Sequence, residues 1–121
     1  MGLTPYGKLV RKLRIDANIS LLNMAIAAGM PSAFLSAIEH GRKAISKDLI
    51  KIAIKMLGEQ HRDAIEGAAK LSNLMYTGKI SIGTENLSEK QLKLAILFAA
   101  KLKNLSDAAV GYIEGLLLDS E

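Results

Sequence analysis

The sequence lacks cysteine and tryptophan, and aromatic residues make up only 4% of its 121 positions. Without cysteine the chain has no disulfide, no thiolate metal ligand and no cysteine nucleophile. Half of the residues are hydrophobic, chiefly Leu, Ile, Ala and Met, which favour helices over strands. We therefore expect a packed, all-α protein.

Long apolar runs are also missing. The longest, LAILFAA at 94–100, is far shorter than the roughly 20 residues that a membrane-spanning helix needs. The first residues, MGLTPYGKLVRKLR, contain no apolar signal-peptide core. These features predict a soluble, cytoplasmic protein that has no membrane partner.

Residues that carry chemistry are scarce. The two histidines, His40 and His61, have no neighbours that complete a metal-ligand set. The sequence contains neither a phosphate-binding glycine loop nor a pair of carboxylates in a polar cluster. We therefore expect no enzymatic activity, no metal and no cofactor.

Acidic residues are few in the first half of the chain. Residues 1–58 contain nine Lys and Arg against three Asp and Glu, a balance of +6. Residues 59–121 contain seven against nine, a balance of −2. A basic half favours a polyanionic partner, because displacing counterions from phosphates promotes binding. The alternative is a solvated basic face with no partner.

Capping and breaking residues divide the chain into helical segments. Thr4-Pro5 is typical of a helix start, and Ser88 with Gln91 matches a capping box. The predicted helices span 5–17, 21–28, 31–40, 47–57, 60–75, 89–103 and 106–118. In the fifth helix we expect Ile65, Ala68, Ala69 and Leu71 to face inward. Residues 77–86 form either a brief strand or a linker.

Residues 20–41 follow the order cap, helix, glycine turn, helix, glycine. Ala25 and Gly29 are small where two helices would cross closely. The inner face is expected to consist of Met24, Ala28, Met30, Leu35 and Ile38. A unit of this kind is known chiefly for presenting its second helix to the major groove of DNA.

A resemblance to a known family covers residues 10–58, VRKLRIDANISLLNMAIAAGMPSAFLSAIEHGRKAISKDLIKIAIKMLG. The motifs are LR in the first helix, the capping Ser20, MAIAAG for the family's Leu-Ala-x-x-x-Gly, and LSAIEHGRK for its L-S-x-I-E-x-G-x-K/R. The segment resembles the helix-turn-helix domain of the XRE family, the phage Cro/C1-repressor-like regulators. The resemblance implies a five-helix DNA-binding domain, related to phages or mobile elements, that acts as a homodimer on a palindromic operator.

The same resemblance assigns roles to individual residues. It places Arg14 against Glu39 as a structural ion pair. The residues expected to face the bases are Ser32, Ala33, Phe34, Ser36 and Ala37. Those expected to contact the DNA backbone are Ser20, His40, Arg42 and Lys43, whose hydroxyl, imidazole and cationic groups suit phosphate contacts.

The sequence departs from the family in two helices. The second helix has Leu21, Leu22, Ile26 and Ala27 at positions that are usually polar, which predicts an additional protein contact there. The base-facing positions offer no Arg–guanine or Asn/Gln–adenine pair, so serine hydroxyls and apolar contacts with thymine methyl groups remain. Specificity should therefore depend strongly on DNA shape.

The second half carries an unusually apolar helix at 89–103, which must be covered on most of its surface. We predict a DNA-binding domain at 1–76 and a dimerisation segment at 77–121. The expected interface residues are Ile96, Phe98, Ala99, Val110, Ile113 and Leu117. Gly111 and Gly115 either permit close approach of another helix or are incidental.

These observations favour a homodimeric repressor that binds double-stranded DNA. One alternative is an antitoxin, whose apolar C-terminal helices would bind a toxin. Another is a protein-binding module that keeps the fold but no longer reads DNA.

Overall fold

A computed structural model describes residues 2–80 and 82–120. Within these ranges the chain is all-α, as predicted, and contains no strand. The α-helices are α1 (Pro5–Ala17), α2 (Leu21–Ala28), α3 (Ser32–Glu39), α4 (Lys47–Leu57), α5 (Arg62–Thr77), α6 (Glu89–Lys101) and α7 (Asp107–Leu118). Short 3-10 turns, Glu59–His61 and Leu102–Asn104, precede α5 and follow α6. The chain divides into two compact units, Met1–Ile80 and Ser81–Glu121.

The helix ends follow the capping residues of the sequence. The Thr4 hydroxyl accepts a hydrogen bond from the Gly7 amide, and Pro5 occupies the first turn of α1. Asn18 ends α1 in the left-handed conformation, with φ of 60°. Ser88 and Gln91 form the predicted capping box at the start of α6. Local polar chemistry therefore sets these boundaries.

The core of the first unit consists of apolar side chains from α1 to α5. Its largest fully buried members are Tyr6, Val10, Met24, Leu35, Leu49 and Ile65. The prediction that Leu71 faces inward is wrong, because half of its surface is exposed. Ser72 is buried instead, and its hydroxyl accepts a hydrogen bond of 2.9 Å from the Tyr6 amide. A polar contact between α1 and α5 thus replaces the apolar one expected from periodicity.

The N-terminal end of α1 lies directly against the C-terminal end of α3. The amide and the hydroxyl of Thr4 both donate to the carbonyl oxygen of Glu39, each at 3.0 Å. A Cβ added at Gly7 would overlap that same oxygen. Only glycine at this position lets the two backbones approach so closely.

The second unit consists mainly of α6 and α7, and no residue of either helix is buried. Their exposed large apolar side chains are Leu94, Ile96, Leu97, Phe98, Val110, Tyr112, Leu116, Leu117 and Leu118. Across the described residues no single helix is long and apolar enough to cross a membrane, and only the pair α2 and α3, bent by 102°, passes that test jointly.

The contact at Gly7 yields a stability prediction. We expect Gly7→Ala to lower the free energy of unfolding by about 1–3 kcal/mol, since the added methyl group must displace the Glu39 backbone. Gly67→Ala, which adds the same methyl group within α5 where no atom lies within 4 Å, should raise it by roughly 0.5–1 kcal/mol. Urea denaturation measures both, and equal effects of the two substitutions would contradict the packing described here.

Candidate nucleic-acid interface

The helices α2 and α3 are joined by a tight turn and lie at 102° to each other. Gly29 forms the turn with φ of 69°, and its amide donates to the last carbonyl groups of α2. A Cβ at Gly29 would meet no atom within 4 Å, so Gly29 serves the backbone conformation and not the expected close approach. Ala25, which is fully buried, is the small residue inside the unit.

The outer side of α3 is accessible and free of charge. Leu35, Ile38 and Glu39 point inward and are buried. The predicted base-facing residues all retain exposed surface; Ala33 and Phe34 are exposed, and Ser32, Ser36 and Ala37 are half-buried. Small side chains on both sides of one aromatic ring leave this helix face nearly bare.

Lys43 lies over the ring of Phe34, with its ammonium nitrogen 5.0 Å from the ring centroid. At this distance a cation is attracted by the electron-rich face of the ring. Gly41 ends α3 in the left-handed conformation, and the Arg42 amide donates to the Ala37 carbonyl group. The helix end therefore brings Lys43 beside the outer face of α3, and Arg42, the preceding residue, is also exposed.

His40 caps the end of α3, and its Nδ1 donates to the Ser36 carbonyl oxygen over 2.8 Å. A carbonyl oxygen can only accept, so this bond assigns the proton to Nδ1 and leaves Nε2 free. The predicted phosphate contact of His40 consequently requires the protonated ring. Ser20 caps α2 by accepting from the Asn23 amide, which leaves its hydroxyl proton available to an outside acceptor.

The structure brings Arg14 and Glu39 together, and both side chains are almost completely buried. The pair is bidentate, from Arg14 Nη1 to Glu39 Oε2 and from Nη2 to Oε1, and Arg14 also contacts the sulfur of Met24. Tyr6 lies close enough to feel both charges. Burial raises the pKa of the Tyr6 hydroxyl well above its ordinary value, Glu39 raises it further and Arg14 opposes this.

Two basic helix faces were not among the predicted site residues. Lys8, Arg11 and Lys12 are exposed on α1, and Lys47, Lys51 and Lys55 form an exposed row on α4. Like charges four residues apart on a helix repel each other by roughly 0.2–0.5 kcal/mol per pair, and the acidic residue of α4, Asp48, offsets part of this repulsion. None of these six cations forms an ion pair within the described residues. The four-residue spacing of Lys47, Lys51 and Lys55 is visible in the sequence and could have predicted this row.

A further missed residue, Asn73, fixes the loop that follows α3. Its side-chain amide accepts from the Ile45 amide at 2.8 Å and donates to the Ile45 carbonyl oxygen at 3.0 Å. The loop that carries Arg42 and Lys43 is thereby attached to α5. No local pattern announces this pair, because it joins positions far apart in the sequence.

Of the four apolar residues expected to give α2 an additional contact, Leu21 is half-buried against the core of the first unit, whereas Leu22, Ile26 and Ala27 are exposed. Leu22 and Ile26, four residues apart on one side of the helix, are 57% and 67% accessible. In the described part of the chain, no group of three or more His, Cys, Asp or Glu side chains is placed to hold a metal ion. The chemistry on offer is thus apolar contact, hydroxyl groups and positive charge.

Comparison with known proteins gives no relative for this chain. No family model matches it, and neither the curated proteins nor the solved structures contain a match.

The buried pair yields a second prediction. We expect Arg14→Met to cost about 3–5 kcal/mol of unfolding free energy, because it leaves the Glu39 carboxylate buried without a partner. Adding Glu39→Leu should recover part of this loss, which a double-mutant cycle in urea would measure. The exposed pair of Arg62 with Glu59 supplies the control, since Arg62→Gln should leave the denaturation midpoint almost unchanged. Equal losses for Arg14→Met and Arg62→Gln would refute a structural role for the buried pair.

Proposed function

We propose that this chain is a sequence-specific DNA-binding transcriptional regulator, a homodimeric repressor of the XRE, Cro/C1-like type. In this proposal α1 to α5 form the five-helix domain, and α3 is the recognition helix. The observation that carries the proposal is the bare, accessible face of α3, presented at 102° to α2 and flanked by exposed cations. Such a crossing lies within the range of DNA-binding helix-turn-helix units.

The dimensions of α3 suit the major groove. An α-helix with its side chains is about 10–12 Å in diameter, and the major groove of B-DNA is about 12 Å wide. Side chains no longer than serine on most of the outer face allow the helix axis to come close to the base edges. Glu39, the only acidic residue of α3, is turned inward and neutralised by Arg14, so it does not repel phosphates.

Electrostatics supports a polyanionic partner. Of the nine basic residues in 1–58, only Arg14 is buried in an ion pair, so the positive balance of this segment lies at the surface. In the proposed complex Ser20, Arg42, Lys43 and protonated His40 contact phosphates and fix the position of α3 along the duplex. The serines and apolar side chains of α3 then meet the bases.

The exposed apolar surface of α6 and α7 supports dimerisation. The nine exposed large apolar side chains of α6 and α7, with Leu102 of the turn after α6, amount to on the order of 500 Å² per copy, at roughly 60–120 Å² for a fully exposed side chain. A standard interface uses about 800 Å² per partner. A second copy of the unit would complete a four-helix arrangement and cover this surface. Two linked copies, each of which binds one half of the operator weakly, also bind the whole operator more tightly than one copy does.

Repression follows from occupancy. A dimer bound across an operator that overlaps a promoter excludes RNA polymerase without any catalytic step. The competing proposal, an antitoxin, uses the same apolar α6–α7 surface to bind a toxin. The two differ in what covers that surface when the protein is alone.

The salt dependence of DNA binding tests the main proposal. The equilibrium constant for duplex DNA should fall steeply with salt, and Arg42→Gln with Lys43→Gln should reduce the slope of log K against log salt. We expect a reduction of roughly 0.9 for each lost phosphate contact, hence about 3.6 for a dimer that loses four. Fluorescence anisotropy over a salt series measures this slope.

A matched control removes the same charge from the second unit. Lys90→Gln with Lys103→Gln, both exposed and outside the proposed interface, should leave the slope unchanged. Equal slopes for both double variants would show that Arg42 and Lys43 do not contact phosphates. No binding of the native chain to any duplex would refute the function itself.

The apolar surface yields a prediction about assembly. Ile96→Asp with Leu117→Asp should convert a dimer into a monomer in sedimentation equilibrium, because each buried carboxylate would lie unpaired in the interface. Asn104→Asp adds an exposed negative charge at the end of the 3-10 turn that follows α6 and should leave the dimer intact. A native chain that is monomeric at all concentrations would contradict the homodimer and favour the antitoxin proposal.

A further inference from the structure

We propose that the α3 face recognises the 5-methyl groups of pyrimidines in the major groove, with Phe34, held by Lys43, as the reading side chain. This inference rests on the proposed function and specifies its ligand. The recognised feature is double-stranded DNA that displays thymine methyl groups, or 5-methylcytosine in their place.

The exposed face of α3 offers apolar side chains to a ligand. Phe34 is 41% exposed although it is the largest apolar side chain on this helix. Exposed Ala33 lies beside it, and half-buried Ala37 lies nearly one turn further along. The C5-methyl group of thymine is the apolar feature of the major-groove edges, and alanine and phenylalanine are suited to contact it.

The same face has only weakly discriminating hydrogen-bonding groups. Ser32 and Ser36 are half-buried, and a serine hydroxyl both donates and accepts, so it distinguishes bases poorly. Along α3 no arginine, asparagine or glutamine reaches outward to pair with guanine or adenine. Discrimination by direct contact must therefore come mainly from the apolar side chains.

The contact between Lys43 and Phe34 fixes the position of the aromatic ring. The ammonium group lies 5.0 Å from the ring centroid and so holds the ring from one face. The loop that supplies Lys43 is itself fixed, since Asn73 binds both backbone groups of Ile45. A phosphate bound by Lys43 would thus set the distance between the ring and the neighbouring base edge. The phosphate contact of Lys43 and the methyl contact of Phe34 would therefore depend on each other.

The test compares thymine with uracil, which pairs identically but lacks the methyl group. Duplexes selected from a random pool by the native chain are synthesised again with uracil in place of thymine. We expect affinity to fall about fourfold for each contacted methyl group, hence about fifteenfold for two half-sites, since burying a group of this size contributes roughly 0.8 kcal/mol. Restoring methyl groups as 5-methylcytosine, in duplexes where cytosine replaces the contacted base, should restore affinity relative to plain cytosine.

Variants locate the effect on Phe34. With Phe34→Ala, the preference for thymine over uracil duplexes should fall to a small remainder from the alanines of this face, whereas Phe34→Leu should keep most of the preference. Lys43→Gln should reduce the preference, because the ring loses its support. Arg42→Gln removes the same charge from the adjacent residue, which the structure does not place over the ring, and should weaken both duplexes by the same factor. Circular dichroism checks that each variant is folded.

The outcomes separate this inference from the function on which it rests. Equal binding of thymine and uracil duplexes by the native chain overturns methyl reading and leaves DNA binding intact. A preference of native size that persists in Phe34→Ala overturns the assignment to Phe34. If no duplex is selected at all, the proposed function fails, and this inference fails with it.

Discussion

The first unit depends on how Glu39 is held at the end of α3. Its carboxylate pairs with Arg14 from α1, and its carbonyl oxygen accepts two hydrogen bonds from Thr4. Gly7 permits the approach that makes these bonds possible. A buried pair of this kind contributes little net stability, but it is costly to disturb, so it favours one position of α3 over its alternatives.

In the proposed function, this constraint would allow a helix with few hydrogen-bonding groups to distinguish DNA sequences. If α3 could shift along its neighbours, contacts as small as a methyl group would average over several positions and discriminate nothing. Anchoring one end through Glu39, and the following loop through Asn73, removes that freedom. In the proposed complex, specificity through small contacts would therefore depend on these polar bonds within the protein.

The local parts of this arrangement could be predicted from the sequence, and the distant parts could not. Helix starts and ends follow from hydroxyl, proline and glycine signals that act within four residues, as at Thr4, Asn18 and Ser88. The inward position of Ser72 and the role of Gly7 depend on which backbone lies opposite, and periodicity does not contain that information. The pairing of Arg14 with Glu39 was placed only through a family resemblance. The contact of Lys43 with Phe34 had no sequence signal, because it depends on how the chain turns after Gly41.

The two units distribute apolar surface in opposite ways, and this bears on how they would cooperate. The first unit buries Tyr6, Leu35 and their neighbours completely and turns its charge outward, whereas α6 and α7 bury no residue. In the proposed function, the first unit alone binds one half-site weakly because its contact surface is small. The exposed apolar side chains of α6 and α7 supply a driving force for association. If two copies associate through the second unit, the free energy gained there lowers the cost of placing two α3 helices on one duplex. The modest chemistry of the α3 face and the excess apolar surface of the second unit then become complementary parts of one binding mechanism.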